Sequence, residues 1–186
     1  DKMIVVDTKE KKVAATVEVG IKPHPGRGAN WVDPKFGPVY ATTHLGEPAI
    51  ALIGTDPKGH PKEAWKMVKK VQVAAAGGLF IKTHPKSNNI WVDSTLDADA
   101  AMTRTLTILD KKNLDAKPKT IQVADKGRVV HMEYNKEGDE VWISVWDKNG
   151  EVVIYDDKTL KEKKRITGLE TPTGKFNIWN TVHDVY

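Results

Sequence analysis

The strongest constraint on the fold is an internal repetition of short strands. Residues 31–33, 39–44, 49–55 and 64–73 form one set of alternating, β-prone runs; residues 79–83, 90–95, 105–110 and 120–123 form a second; residues 129–133, 140–146, 151–156 and 161–167 form a third. Turn-rich stretches at 33–38, 84–89 and 134–139 separate the first two runs of each set. Tyr40, Trp91 and Trp142 recur at equal spacing, and Asp7, Asp56, Asp110 and Asp156 each close a third strand. Repetition with four strands per unit is the signature of a β-propeller, in which each sheet buries its faces against its neighbours around an axis. The recurring aromatic is therefore expected to pack between sheets.

The ends of the chain hold partial units. Residues 4–7 and 13–19 read as a hairpin, and residues 175–179 as an inner strand near the C-terminus. The expected organisation is all-β: a half-blade at 3–20, blades at 28–73, 78–124 and 127–168, and a half-blade at 173–186. This is a propeller fragment of about four blade-equivalents. Half-blades expose strand edges that must pair with something. Pairing within the chain gives a strained four-bladed ring; exchange between two chains gives an eight-bladed homodimer, which is expected because inter-blade packing fixes the blade angle.

Composition removes several classes of function. The absence of cysteine excludes disulfides, thiolate metal sites, cysteine nucleophiles and covalent haem attachment through a CxxCH motif in this segment. The net charge is +4, but lysines are interleaved with acids along the chain, which describes a solvated surface more than a nucleic-acid stripe. No apolar run is long enough for a membrane span and no signal peptide is visible, so neither nucleic-acid binding nor membrane insertion is expected. The chain opens directly before a strand, as a piece cut from something longer would. The six histidines lack metal-ligand spacing, and no catalytic-triad order, phosphate-binding loop or dinucleotide motif is present. His60, His84 and His131 are expected in turns or the core, and His44, Thr95, Trp146 and His183 at one strand-end position.

The candidate site is the stretch Pro23-His24-Pro25-Gly26-Arg27-Gly28. Two prolines hold His24 near extended backbone and keep it out of a helix, so the imidazole is presented on a loop. Gly26 and Gly28 permit positive φ or close approach of a ligand on either side of Arg27. Glycines also precede each later inner strand, with Lys126, Arg128 and Lys175 beside them. A broad ligand over the axis, its acid groups neutralised by these cations, fits that pattern.

The strings HPGRGAN, THLG, LIGTDP, LFIKTHPKS, LDKKNLDAK, YNKEGDEVWISVW, TPTGKFN and the terminal HDVY closely resemble the C-terminal part of the haem d1 domain of the cytochrome cd1 nitrite reductases. The resemblance covers nearly the whole chain. It implies an eight-bladed, homodimeric, periplasmic propeller that reduces nitrite to nitric oxide at haem d1, with electrons from c-type donors. By the same resemblance, His24 matches a distal proton donor and Arg27 an anion-binding residue beside the haem. Phe80 and Trp146 match aromatics near the macrocycle, and Thr173 and Gly174 a segment at its edge. No residue of this chain matches a metal ligand. The proximal histidine and the haem c domain would lie upstream, so the fragment alone is expected to be inactive and its own haem binding is left open. Haem d1 biosynthesis propellers and interaction propellers are the alternative readings.

Overall fold

The computed structural model describes residues 1–26 and 28–172. A two-stranded hairpin, β1 (Lys2–Asp7) and β2 (Lys12–Glu18), precedes three four-stranded sheets. The first contains β3 (Ala29–Asp33), β4 (Gly37–Thr43), β5 (Ala49–Gly54) and β6 (Met67–Gln72). The second contains β7 (Ile81–Lys82), β8 (Asn89–Val92), β9 (Thr105–Asp110) and β10 (Lys119–Gln122), with a short 3-10 turn, Met102–Arg104, before β9. The third contains β11 (Arg128–Tyr134), β12 (Glu140–Trp146), β13 (Gly150–Asp156) and β14 (Glu162–Leu169). Every sheet is an antiparallel meander, the order that short turns between consecutive strands produce. No helix among the described residues is long and apolar enough to cross a membrane.

Period-2 alternation builds the core between the sheets rather than within one. On β5, Ile50 and Leu52 face the second sheet while Ala51 and Ile53 face the hairpin, packing on Val17 and Val19. On the second sheet Ile90 and Val92 complete the cluster toward the first, and Trp91, Leu106 and Ile108 point the other way, toward Val129, Val141 and Val153 of the third. The first and second sheets are packed on both faces in this way and the third on the face toward the second, as blades of a propeller are, and the all-β propeller fragment is the observed fold. Among the described residues no core cluster joins the third sheet to the hairpin, so the sheets form an arc.

The aspartates that close strands act locally. Asp7 Oδ1 accepts the backbone N–H groups of Lys9 and Glu10, Asp56 those of Lys58 and Gly59, Asp110 that of Lys112 and Asp156 that of Thr159. These are Asx turns, which reverse the chain into the following strand. The recurring aromatic behaves differently from its sequence spacing. Trp91 is fully buried toward the third sheet, but Tyr40 packs on the cluster toward the hairpin, the opposite face. A one-residue slip in register moves a side chain to the other face of its sheet, and equal spacing in sequence did not preserve the register.

Trp91 belongs to a buried polar knot that ties the second sheet to the third. Asp157 Oδ1 accepts the Trp91 indole N–H at 2.8 Å and the Tyr134 hydroxyl at 2.9 Å, and its Oδ2 accepts the Ser87 hydroxyl at 2.6 Å. The Asp157 carbonyl accepts the Asn89 amide at 2.6 Å. All four side chains of the first set of bonds are buried.

Candidate functional site

The His24 loop is fixed on both sides of the imidazole. The His24 N–H donates to the Thr43 carbonyl at 2.9 Å, the Thr42 hydroxyl donates to the His24 carbonyl at 3.1 Å, and Pro23 bridges to His44. The loop is thereby laid against the end of β4. Tyr40, misplaced by its spacing, has a task here: its hydroxyl donates to the Gly26 carbonyl at 3.4 Å and accepts the Gly28 N–H at 3.2 Å, spanning position 27.

The ring of His24 is oriented by the same loop. The Gly26 N–H donates to His24 Nδ1 at 3.2 Å, so in the neutral imidazole Nδ1 is the acceptor and the proton resides on Nε2. Gly26 does not take positive φ, one of the uses expected of it. The lack of a side chain at Gly26 and Gly28 matters for space: a Cβ on Gly26 would collide with the His24 ring, and one on Gly28 with Tyr40 and the Ala41 carbonyl. Gly26→Ala is expected to push the imidazole off its hydrogen bond at a stability cost on the order of 1 kcal/mol. Nitrogen-15 shifts of the ring would then report mixed tautomers instead of one.

Three half-buried rings from three sheets meet at the inner edge of the arc. His24 packs edge-on to Phe80, with centroids 5.8 Å apart and planes at 72°, and Phe80 packs on His131 at 4.2 Å and 55°. His131 was expected in a turn or the core; it stands instead in this wall, at a bulge in β11. Phe80 is placed by a buried carboxyl. Asp93 Oδ1 accepts the N–H groups of Leu79 at 2.7 Å and Phe80 at 3.0 Å, and the Asp93 N–H returns a bond to the Phe80 carbonyl at 3.2 Å. These bonds take residues 79 and 80 out of the strand ladder, which is why β7 is only two residues long.

Burial drives the Asp93 carboxyl up to about 7, against the opposing pull of the backbone donors. Between the ordinary 3.8 of an unfolded aspartate and about 7, the folded state holds a proton that the unfolded chain releases. Stability is therefore expected to fall as pH rises through that window. Urea midpoints measured from pH 4 to 8 should show this slope in the wild type and a flatter profile in Asp93→Asn.

The remaining expected residues distribute unevenly. Trp146 ends β12 at 42% exposure, paired in register with Arg128, and makes no ring contact with the wall. Arg27, Thr173, Gly174, Lys175 and His183 lie outside the described residues. Two cations expected over the axis are engaged elsewhere: Lys126 pairs with Glu151 at 3.1 Å, and Arg128 donates to the Thr95 carbonyl at 2.7 Å. At the strand-end position His44 and Thr95 are structural, His44 meeting the Val19 carbonyl at 3.0 Å and the Thr95 hydroxyl donating to the Val129 carbonyl at 2.7 Å. A cleft of about 690 Å³ lined by Trp31, His84, Lys111 and Lys112 opens at the far ends of β3 and β7, away from the ring wall.

The arc of sheets has counterparts among known proteins. The chain is 45% identical to the nitrite reductase of Stutzerimonas stutzeri over its whole length, spanning 37% of that protein. Its structure resembles dihydro-heme d1 dehydrogenase NirN in complex with DHE, with a TM-score of 0.79 and 25% identity, over 94% of this chain and 34% of that one. The β-propeller domain of Myceliophteria thermophila Cps50 shares the fold at a TM-score of 0.61 and 12% identity, over 91% and 54% of the two chains. The chain thus spans little more than a third of the first two relatives. Residues 1–181 match the Cytochrome D1 heme domain, and the chain belongs to that family.

Proposed function

We propose that this chain supplies one wall of the haem d1 pocket in a dissimilatory nitrite reductase that forms nitric oxide. The observation that carries the reading is the identity of 45% with a nitrite reductase across the full chain, within which the His24 imidazole is held with Nδ1 as acceptor and Nε2 as donor. The wall suits a broad, flat ligand: Phe80 offers an aromatic face between two imidazoles.

Haem d1, when bound, supplies the redox-active iron at which nitrite is reduced. The residues here do the rest. His24, once protonated on both ring nitrogens, would release its Nε2 proton toward an oxygen of the anion and return to neutral imidazole; with a second proton from solvent and one electron from the c-type donor by way of the haem, that oxygen would leave as water and nitric oxide would remain. Asp93 fixes the backbone of Phe80 and so the surface on which the macrocycle would rest. Arg27 holds the anion with a planar, permanently charged fork. Trp146 would stand near the macrocycle, and Thr173 and Gly174 would hold its edge. The protein works in the periplasm with c-type electron donors and dimerises by exchange of half-blades. That the described arc presents one wall supports the reading that the isolated chain is inactive.

The likeness to dihydro-heme d1 dehydrogenase NirN supports a second reading, oxidation of a dihydro-haem precursor during cofactor synthesis. Assaying the full-length protein with each substrate separates the two. The reductase reading expects nitric oxide from nitrite and an artificial reductant; turnover of dihydro-haem d1 alone would contradict it.

A further inference from the structure

Two clefts between neighbouring sheets differ in how their charges are met. In the cleft of about 520 Å³ between the second and third sheets, Lys126 and Arg165 both pair with Glu151, and Arg165 pairs with Glu162 as well. That cleft neutralises itself. The cleft of about 690 Å³ between the first and second sheets holds Lys111 and Lys112, and no acid is among the residues that line it. Asp157, whose charge acts on Lys111, is occupied by Ser87, Trp91 and Tyr134. On a chain whose lysines are otherwise interleaved with acids, a concave site with two lysines and no carboxylate is set apart. Its volume lies in the range of small-molecule sites, about 300–1,000 Å³.

The cleft is built from fixed turns. Asp33 Oδ1 accepts the N–H groups of Lys35 at 2.8 Å and Phe36 at 3.0 Å, which sets the turn carrying Pro34. Across the cleft, the Ser87 N–H donates to the His84 carbonyl at 3.0 Å, and the Ser87 hydroxyl is held by Asp157. Lys111 is laid over this second turn: its backbone N–H donates to the Asn88 carbonyl at 2.7 Å and its ammonium to the His84 carbonyl at 2.8 Å. An ammonium has three donors, so this half-buried one keeps two for a ligand. Burial, and to a lesser degree Lys112, pull its pKa below the ordinary lysine value, against the opposing effect of Asp157. Trp31 also lines the cleft, 8% exposed, and its indole N–H is buried with no hydrogen-bond partner among the described residues. Buried donors are nearly always paired, and an oxygen brought into the cleft would supply the missing acceptor. Pro34, Pro38 and Val39 make much of the remaining lining apolar.

We propose that this cleft is a second ligand site, remote from the ring wall, that takes a small organic carboxylate: the apolar body lies against Trp31 and the two prolines, and Lys111 and Lys112 hold the carboxylate. A bare inorganic anion would leave the prolines and the indole uncovered, and an uncharged molecule would leave both lysines unmatched. The site does not depend on the haem-pocket reading. The test is a calorimetric titration of the full-length protein with naphthoate, and with its uncharged amide and inorganic phosphate for comparison. Lys111→Met and Lys112→Met keep an apolar stem and remove one charge each. Naphthoate is expected to bind the wild type about tenfold more tightly than the amide does, and each substitution should remove most of that difference while leaving the amide unaffected. Lys112 is exposed, so Lys112→Met is expected to melt with the wild type and to decide the matter should Lys111→Met lose stability. The indole N–H resonance of Trp31, assigned with Trp31→Phe, should move as naphthoate saturates the wild type and stay fixed in the double lysine variant. Equal affinity for naphthoate and its amide, unchanged naphthoate binding in the double variant, displacement of naphthoate by an equal concentration of phosphate, or an unmoved Trp31 resonance would each overturn the proposal.

Discussion

Replacing Asp157 with alanine is expected to destabilise the protein by about 3–5 kcal/mol, the largest effect of any single substitution away from the ring wall. The carboxyl is the shared acceptor for Trp91, Tyr134 and Ser87, and all of them are buried. Removing it strands three donors where water does not reach, and each stranded donor costs about 1–3 kcal/mol. The Tyr134 hydroxyl cannot compensate by ionising, because burial, and then Asp157, hold it well above the ordinary phenol value. Asp157→Asn keeps one acceptor but turns an NH2 toward one of the donors, so about half of the loss is expected. Trp91→Phe removes one donor with its acceptor still served by the others, and should cost least. For a chain of this length the alanine variant should melt roughly 10 °C lower. A shift within 2 °C would show that the knot is not what joins the second and third sheets.

His24→Ala in the full-length protein is expected to lower nitric oxide formation by about 10²- to 10⁴-fold while haem d1 remains bound. The loss should fall on turnover more than on haem affinity, since Phe80 and the remaining contacts are untouched. His24→Gln, which keeps a donor but cannot take up and release a proton at neutral pH, should lie near the alanine value. If either variant turned over nitrite at the wild-type rate, His24 would not be the proton donor. Loss of the haem from His24→Ala would make the residue one that holds the cofactor.

Much of the fold was legible because alternation has a fixed period. The apolar runs around residues 50–53 and 90–92 bury alternate side chains on the two faces of their sheets, and Val141, Ile143 and Val145 share the face that packs on the second sheet. The HPGRG loop was legible because prolines and glycines act locally, and its imidazole does join a wall with Phe80. What escaped was non-local. Asp157 follows another aspartate and has nothing in its neighbourhood to mark it; its partners are Ser87, Trp91 and Tyr134, on other strands and turns. Only the doubled aspartate after β13 hinted that one of the pair did more than cap the turn. His131 sits in a run, Val129-Val130-His131-Met132, that reads as a regular strand, and a bulge carried by histidine leaves no glycine to betray it. Tyr40 was placed by spacing, and spacing does not survive a register slip of one residue.

The central claim is that this chain helps enclose haem d1, and the most direct measurement is the visible spectrum of the full-length apoprotein during titration with haem d1. The account predicts a saturating spectral change at one haem per chain, followed by nitric oxide release when nitrite and reductant are added. A spectrum that stays equal to that of free haem d1 at every ratio would contradict it.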